Sequence, residues 1–249
     1  VRDKDVFLIQ NPYNTIDGLS VNENIMETFL FLDALRRSKA QSITLVSLYY
    51  PYGRGDKQHG KDGVPAKMLA SLLTNAGLNN ILTMDLHADQ ITGFFHANKV
   101  RVEHLHASPL HIHYFKQILG DDATIAAPDA GAAKRAQFFA QSLEKKMLIA
   151  YKKRSYHHKH TVDDLKILGL PGEDEVVIVD DIVSSGGSVL KVIDKMKEKG
   201  IKKVYVACTH ALLTGDAINN FEEAYFDSEN PFVKLIGTDA IPHNGDLKN

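Results

Sequence analysis

The stretch VVIVDDIVSSGGSVL, residues Val176–Leu190, carries most of the information about the fold. Apolar residues lead into two carboxylates, a turn of serines and glycines follows, and apolar positions then recur at helical spacing. This order predicts a buried strand at Glu175–Val179, a turn at Asp180–Gly187 and a helix at Ser188–Gly200. A further strand at Lys203–Cys208 completes a βαβ unit, which indicates a parallel sheet covered on both faces.

The same alternation of strands and helices extends along the rest of the chain. Further strands are predicted at Val6–Gln10, Ser42–Leu48, Asn80–Met84, Thr124–Pro128 and Lys146–Tyr151. Further helices are predicted at Asn22–Arg37, Ala66–Ala76, Ser108–Leu119 and Ala132–Leu143. Because the pattern runs twice, we expect an α/β protein of two similar domains, 1–108 and 109–249, each with a central, mostly parallel sheet flanked by helices.

The turn after the buried strand has the chemistry of a sugar-phosphate site. Ligands of open α/β sheets bind at the carboxyl ends of strands, and a helix N-terminus directs free N–H groups at an anion. Serine hydroxyls add donors, whereas carboxylates suit sugar hydroxyls or a hydrated metal. A lone Gly-Gly turn would be a plain connection, but the whole pattern favours a binding site. Its candidate residues are Asp180, Asp181, Ser184, Ser185, Gly186, Gly187 and Ser188.

Composition excludes several classes of function. The chain has 249 residues and a formal charge of −2, without the basic excess of nucleic-acid-binding domains. No apolar run reaches the ~18 residues of a membrane span, and no signal-peptide pattern opens the chain. The single cysteine, Cys208, excludes an intrachain disulfide and fits a reducing compartment. We therefore expect a cytoplasmic protein with no nucleic-acid or membrane partner.

Two polar segments follow predicted strands in the first half of the chain. YGRGDKQ (Tyr52–Gln58) contains Arg54, whose guanidinium suits a triphosphate, although such a loop alone is more typical of a solvated surface. TMDLHADQITGFF (Thr83–Phe95) contains Asp85 and His87, which point the same way if the chain is extended. They could hold a metal, although a lone histidine is more often structural.

Two more polar segments lie in the second half. In APDAGAAKRA (Ala127–Ala136), Asp129 ends a predicted strand just before a helix begins. In YKKR (Tyr151–Arg154), cations end a strand ahead of Arg154–Asp164, a histidine-rich stretch that we predict to be an exposed, mobile loop. Cations at the root of a moving loop could close on a transferring phosphoryl group, and plain surface charge is the other interpretation.

Together these segments resemble the ribose-phosphate diphosphokinases (PRPP synthetases) in order and spacing along nearly the whole chain. Asp85–Phe95 is similar to the family's Asp-Leu-His-Ala-x-Gln-Ile-x-Gly-Phe-Phe, and Asn22–Glu27 to its Asn-Asp-Asn-Leu-Met-Glu. Phosphoribosyltransferases share the pattern at Val176–Leu190 but not that at Asp85–Phe95. The resemblance implies two phosphoribosyltransferase-like domains and transfer of the diphosphoryl group of ATP, with Mg²⁺, to C1 of ribose 5-phosphate.

The resemblance also implies a role for each candidate residue. The positions that match the family's ATP loop are Arg54, Gly55, Asp56 and Lys57. Those at or beside its metal-binding positions are His87, Asp129 and Asp85. Those that match its catalytic flexible loop are Lys152 and Arg154. The ribose 5-phosphate positions are Asp180, Asp181 and Ser184–Ser188. A homo-oligomer built from dimers, such as a hexamer, and control by phosphate and ADP are implied as well.

Several positions depart from the family pattern. Ser184 stands where Asp is common, Gly55 where Gln is usual and Tyr151 where Asp is usual; Ala132 replaces a second glycine, and His96–Val100 lacks the usual Pro and Asp. These departures leave open a non-catalytic relative that regulates active subunits. A phosphoribosyltransferase is the other alternative, since it would explain the turn at Asp180–Ser188 but not Arg54–Lys57 or Asp85–Phe95.

The start of the sequence is unusual. Val1 is not Met, and a predicted strand begins within a few residues, so we expect the numbering to begin inside a longer protein. The resemblance implies a segment before Val6 with an aromatic and a carboxylate that reach a neighbouring subunit's ATP, and a final helix after Pro242. We therefore expect either an incomplete chain or altered adenine binding.

Overall fold

The computed structural model describes residues 1–14, 18–153, 164–169 and 174–243. The chain divides into two compact units. Unit 1 contains Val1–Ala107 together with the stretch that begins at Asp239, and unit 2 contains Ser108–Thr238. The described residues from Asp239 to His243 therefore group with unit 1, and the predicted division into 1–108 and 109–249 stays a prediction. None of the helices in the described ranges is long and apolar enough to cross a lipid bilayer.

Unit 1 is built on a four-stranded parallel sheet. Its elements are β1 (Asp5–Ile9), α1 (Val21–Arg37), β2 (Ser42–Val46), α2 (Pro65–Asn75), β3 (Asn80–Met84), a 3₁₀ helix (Asp89–Phe94) and β4 (Arg101–Leu105). The strand order follows the chain, β1-β2-β3-β4, and every neighbouring pair is parallel. The loops that leave β2, β3 and β4 therefore lie at one edge of the sheet, because the carboxyl ends of parallel strands meet there.

The helix α1 shows how local sequence sets an element of this unit. Ser20 accepts a hydrogen bond from the backbone N–H of Glu23, and the Glu23 carboxylate accepts one from the N–H of Ser20. This reciprocal capping box satisfies two amides that the first helical turn leaves unpaired. The helix then buries Asn24, Thr28 and Leu32, which recur every four residues, against the sheet.

Unit 2 is built on a six-stranded sheet. Its elements are α3 (Ser108–Ile118), β5 (Thr124–Ala127), α4 (Ala133–Leu143), β6 (Lys146–Lys153), β7 (Asp164–Leu168), β8 (Glu175–Val183), α5 (Gly187–Glu198), β9 (Lys203–Ala211), α6 (Ala217–Phe226) and β10 (Phe232–Ile236). The strand order is β10-β9-β8-β5-β6-β7, with β6 and β7 antiparallel and the other pairs parallel. The predicted fold class of two α/β units with mostly parallel sheets is confirmed.

The two sheets differ in how they are covered. Along β8, Val176 and Ile178 pack into one apolar core and Val177 and Val179 into another, so this strand is buried on both faces. In unit 1, burial alternates along β2 and β3, and Ile9 on the edge strand β1 is 78% exposed. The covering is therefore complete along β8, whereas alternate positions of β2 and β3 in the first sheet are only half-buried.

Strand β8 is also longer than predicted. It continues through Asp180 and Asp181 to Val183, because Asp180, Ile182 and Val183 pair with β9 at Cys208, His210 and Ala211. The two carboxylates thus occupy consecutive positions inside a strand. The turn shortens to Ser184–Gly186. Strands β4, β7 and β10 and helix α6 were not predicted from the sequence.

Candidate functional site

The turn between β8 and α5 leaves a helix N-terminus without a side-chain cap. Gly186, which has no side chain to cap the helix, occupies the N-cap position with φ of 75°, and no side-chain cap is present among the described residues. This left-handed conformation strains any residue with a Cβ. Uncapped N–H groups, together with the partial positive charge of a helix start, are able to bind an anion. Ser185 and Ser188, both exposed, lie in the same segment.

Ser184, predicted as a ribose-phosphate contact, is half-buried and its hydroxyl is hydrogen-bonded within the protein. Its Oγ lies 2.9 Å from Oγ1 of Thr214, and the Thr214 N–H donates to the Ser184 carbonyl at 3.1 Å. These bonds tie the turn to the loop that follows β9. Nothing in the sequence links the two residues, because they are far apart in the chain and meet only through strand pairing.

Gly186 also meets an aromatic side chain of α6. A Cβ built on Gly186 would lie 2.7 Å from Cε2 of Phe221, which is closer than atoms can pack. Phe221 in turn packs on Phe232 of β10, with ring centroids 5.3 Å apart. Glycine is therefore required here by the backbone and by the neighbouring ring together.

Three carboxylates lie close together at the carboxyl ends of β5 and β8. Asp180 keeps part of its surface exposed, but burial raises the pKa of its carboxyl well above the ordinary value, and the charges of Asp181 and Asp129 raise it further. Asp181 is buried. Because β5 and β8 are adjacent and parallel, Asp129 and the aspartate pair share one edge of the sheet. This concentration of negative charge suits sugar hydroxyls or a cation.

Asp129 is oriented by the backbone that follows it. Its Oδ1 accepts hydrogen bonds from the N–H groups of Gly131 at 2.8 Å and Ala132 at 3.1 Å, at the start of α4. The residue is exposed, so a cation could reach its carboxylate. Oxygen ligands of this kind are those that Mg²⁺ prefers.

In unit 1, the predicted ATP loop is bound to the start of α2. The N–H of Gly55 donates to the carbonyl of Tyr52 at 2.8 Å, and the N–H of Ala66 donates to the carbonyl of Gly55 at 3.2 Å. A Cβ on Gly55 would lie 2.7 Å from Cγ and Cδ of Pro65. A side chain at this position would therefore require the proline ring or the loop to shift.

The same loop packs against the segment that follows β3. A Cβ on Gly53 would lie 3.5 Å from Cβ of His87, and Nε2 of Gln90 donates to Oδ2 of Asp56 at 2.6 Å. Arg54 and Lys57 are exposed, whereas Asp56 is buried. The structure thus brings the predicted ATP loop and the segment Asp85–Phe95 together.

The predicted metal residue Asp85 lies in a group with two histidines. Ligand atoms of Asp85, His104 and His106 all lie within 4.8 Å of one another. Asp85 is buried, its Oδ1 is 3.2 Å from Nδ1 of His106, and its Oδ2 accepts the N–H of Ala107 at 3.0 Å. Nε2 of His104 already accepts the N–H of Leu86 at 2.9 Å, so His104 is engaged with the backbone.

His104 and His106 were not predicted as site residues from the sequence, although their spacing of two residues was a usable signal. His104 lies in β4 and His106 directly follows the strand, and two residues at this spacing in an extended chain point the same way; their ring centroids are 4.4 Å apart. Asp85 itself has φ of 39°, in the left-handed region that costs a residue with a Cβ. Such strain is frequent at functional sites.

The predicted catalytic residues are only partly described. The backbone of Lys152 belongs to β6 and pairs with Leu165 of β7, and its side chain lies outside the described part of the structure. Arg154 and the predicted mobile loop at 154–163 also lie outside the described residues. The predicted residues divide between the units, with the ATP loop, Asp85 and His87 in unit 1 and the others in unit 2.

Comparison with known proteins identifies the family. Residues 1–77 match the family model of the N-terminal domain of ribose phosphate pyrophosphokinase, and residues 103–223 match that of the phosphoribosyl transferase domain. The chain is 36% identical over 247 residues to a ribose-phosphate pyrophosphokinase of Fusobacterium nucleatum, an alignment that covers 97% of this chain and 72% of the relative. The chain belongs to the ribose-phosphate pyrophosphokinase family.

Further relatives agree with this assignment. A ribose-phosphate pyrophosphokinase of Campylobacter jejuni is 37% identical, covering 100% of this chain and 76% of the relative. The crystal structure of phosphoribosylpyrophosphate synthetase from Mycobacterium smegmatis superposes with a TM-score of 0.86 at 30% identity, covering 100% of this chain and 77% of that one. Because the first part of the chain matches the N-terminal domain of ribose-phosphate pyrophosphokinases, the phosphoribosyltransferase alternative is not supported.

Proposed function

We propose that this chain transfers the diphosphoryl group of ATP to the C1 hydroxyl of ribose 5-phosphate, giving 5-phosphoribosyl 1-diphosphate and AMP. The observation that carries the proposal is the uncapped N-terminus of α5, which closely follows the Asp180–Asp181 pair. Membership of the ribose-phosphate pyrophosphokinase family supports ATP as the donor. In the reaction, the C1 oxygen bonds to the β-phosphorus, the α–β bridging bond breaks, and the hydroxyl proton is released.

The sugar phosphate is assigned to unit 2. Its 5-phosphate would accept hydrogen bonds from the N–H groups at the start of α5 and from the Ser185 and Ser188 hydroxyls. Asp180 and Asp181 would accept hydrogen bonds from the ribose hydroxyls and so orient the C1 oxygen. Both carboxylates come from strand β8, which pairs with β5 as far as Ile178 and with β9 as far as Val183, and this pairing restricts their movement.

The nucleotide phosphates are assigned to the loop of unit 1. Arg54 and Lys57 are exposed there, and their cationic groups suit phosphate oxygens. Diphosphoryl transfer depends mainly on positioning and on neutralising negative charge. We assign to Lys152 and Arg154 the stabilisation of the negative charge that develops on the transferring diphosphoryl group. We assign no residue as general base.

Magnesium is the proposed metal. The crowded carboxylates of unit 2, with Asp129 exposed and oriented by two N–H groups, fit a hard divalent cation. His87 and Asp85 are the candidate metal ligands in unit 1. Oδ2 of Asp85 accepts the N–H of Ala107, and Oδ1 of Asp85 faces Nδ1 of His106. When bound, the cation would neutralise phosphate charge. A cytoplasmic location, a homo-oligomer and the domain boundary near residue 108 stay predictions.

The reaction itself is tested by product analysis. The purified protein is incubated with ATP, Mg²⁺ and ribose 5-phosphate, and nucleotides and sugar phosphates are followed by ³¹P NMR and chromatography. We expect AMP and 5-phosphoribosyl 1-diphosphate in equal amounts, only when ribose 5-phosphate is present. Formation of ADP instead would contradict diphosphoryl transfer. Binding of ribose 5-phosphate without any AMP would favour the non-catalytic regulatory relative.

The role of the aspartate pair gives a second prediction. Asp181→Ala is expected to weaken ribose 5-phosphate binding about ten- to hundredfold, because a hydrogen bond to a charged acceptor contributes about 1.5–3 kcal/mol. Isothermal titration calorimetry measures the affinity. Asp194→Ala, which removes an exposed carboxylate of α5, is the control and should bind normally. Unchanged binding in Asp181→Ala would remove this residue from the proposed site.

A further inference from the structure

Asp56 differs from the other charged residues of the predicted ATP loop in its surroundings. Arg54 and Lys57 on either side are exposed, whereas Asp56 is only 5% exposed. A charged side chain is costly to bury unless hydrogen bonds compensate for the loss of water. Its contacts therefore indicate whether it faces a ligand or the protein interior.

The two carboxylate oxygens of Asp56 differ in their hydrogen bonding. Oδ2 accepts the Nε2–H of Gln90 at 2.6 Å, a short, charge-assisted bond. Oδ1 is buried away from solvent and has no hydrogen-bond partner among the residues that the structure describes. A nucleotide arriving from solvent cannot contact an oxygen that is sealed in this way. The carboxylate thus faces inward, toward the segment that follows β3.

Gln90 is well placed to fix this carboxylate. It belongs to the 3₁₀ helix Asp89–Phe94, whose next residue, Ile91, is fully buried in the core of unit 1. The N–H of Ile91 donates to the carbonyl of Ala88 at 3.1 Å, and a Cβ on Gly53 would lie 3.7 Å from Cδ1 of Ile91. The helix that carries Gln90 is therefore anchored directly beneath the loop.

We infer that Gln90 is a positioning residue for nucleotide binding, which acts by holding Asp56 and so fixes the loop that presents Arg54 and Lys57. The inference rests on the proposed function, in which this loop binds the phosphates of ATP. Asp56 then acts inside the loop and does not touch the nucleotide. The contact of Gly55 with Pro65 and Ala66 is a second anchor, so loss of the Gln90 bond should loosen the loop without unfolding it.

The test exchanges the donor and the acceptor. Gln90→Glu places two carboxylates together, and we expect the Kd for ATP with Mg²⁺ and the KM for ATP to rise about ten- to hundredfold. Asp56→Asn alone should have a smaller effect, because an amide oxygen still accepts from Gln90. In Asp56→Asn/Gln90→Glu the asparagine amide can donate to the new glutamate, so most of the lost ATP affinity should return.

The readouts separate this role from the other possibilities. Calorimetry measures ATP binding, steady-state kinetics give KM for both substrates, and thermal unfolding gives Tm; KM for ribose 5-phosphate should stay within about twofold. Thr92→Val, which removes only a local hydrogen bond in the same 3₁₀ helix, is the control and should resemble the wild type. If the double variant binds ATP no better than Gln90→Glu does, the inference is wrong. The inference is also wrong if Gln90→Glu lowers Tm but leaves the Kd and the KM for ATP unchanged.

The same measurements distinguish failure of this inference from failure of the proposed function. If the wild-type protein neither binds ATP nor forms AMP, the proposed function fails before any variant is compared. If the wild type does both and the exchange restores nothing, only the role of Gln90 is rejected.

Discussion

Replacing Lys152 with alanine is expected to lower kcat about 10²–10³-fold while KM for ribose 5-phosphate stays within about twofold. Lys152 is the penultimate residue of β6 and lies two positions before Arg154, where the sequence resembles the catalytic loop of the ribose-phosphate pyrophosphokinase family. A cation aimed at the transferring group stabilises charge that develops only in the transition state, and removal of one such group typically costs this much in rate. Steady-state kinetics with both substrates varied measure the two constants.

A lysine at the other end of the same strand provides the control. Lys146→Ala removes an exposed cation from the first position of β6 and should leave kcat unchanged. If Lys152→Ala turns over at a near-normal rate, the assignment to charge stabilisation is wrong. If kcat is preserved while KM for ATP rises, Lys152 contributes to ground-state binding instead.

Gly186→Ala is expected to lower the affinity for ribose 5-phosphate more than a hundredfold and to destabilise the protein. An L-residue at φ of 75° costs about 1–2 kcal/mol, and the new Cβ would lie 2.7 Å from the ring of Phe221. Relief of that clash requires the turn or α6 to move, and overpacking of this kind costs about 1–3 kcal/mol more. The N–H groups at the start of α5 would then lose their common orientation toward a phosphate.

Gly200→Ala is the matched control for this substitution. Gly200 has a nearly identical φ of 77°, but a Cβ there meets no atom within 4 Å. It should lose stability through backbone strain alone and bind ribose 5-phosphate normally. Thermal unfolding and calorimetry on both variants separate the two contributions. Equal affinities in the two variants would contradict a binding role for the turn at Gly186.

Much of the fold follows from local pattern. The continuous apolar run of β8 predicts a strand buried on both faces, and the apolar positions of Asn22–Arg37 recur at helical spacing. Such signals arise from neighbours in the chain, so they can be recognised without tertiary contacts. Helix α6 and strand β10 were missed, because their positions depend on packing against the sheet.

The candidate site shows the same division. The glycines, serines and aspartates after the apolar run predicted a phosphate-binding turn, and the structure supplies an uncapped helix start there. The inward orientation of Asp56 could not be predicted, because alternating charges in a loop usually indicate a solvated surface. Only the pairing with Gln90 distinguishes this carboxylate from its exposed neighbours.

The sequence by itself determined the fold class, the family resemblance and the segments that carry chemistry, because each depends on the order of residues over short stretches. The tertiary structure alone decided that Asp180 and Asp181 lie within a strand, that Ser184 bonds to Thr214, and that Gly55 must accommodate Pro65. These features join residues that are distant in the chain. They are set by strand pairing and side-chain packing, which act between elements and leave no trace in local spacing.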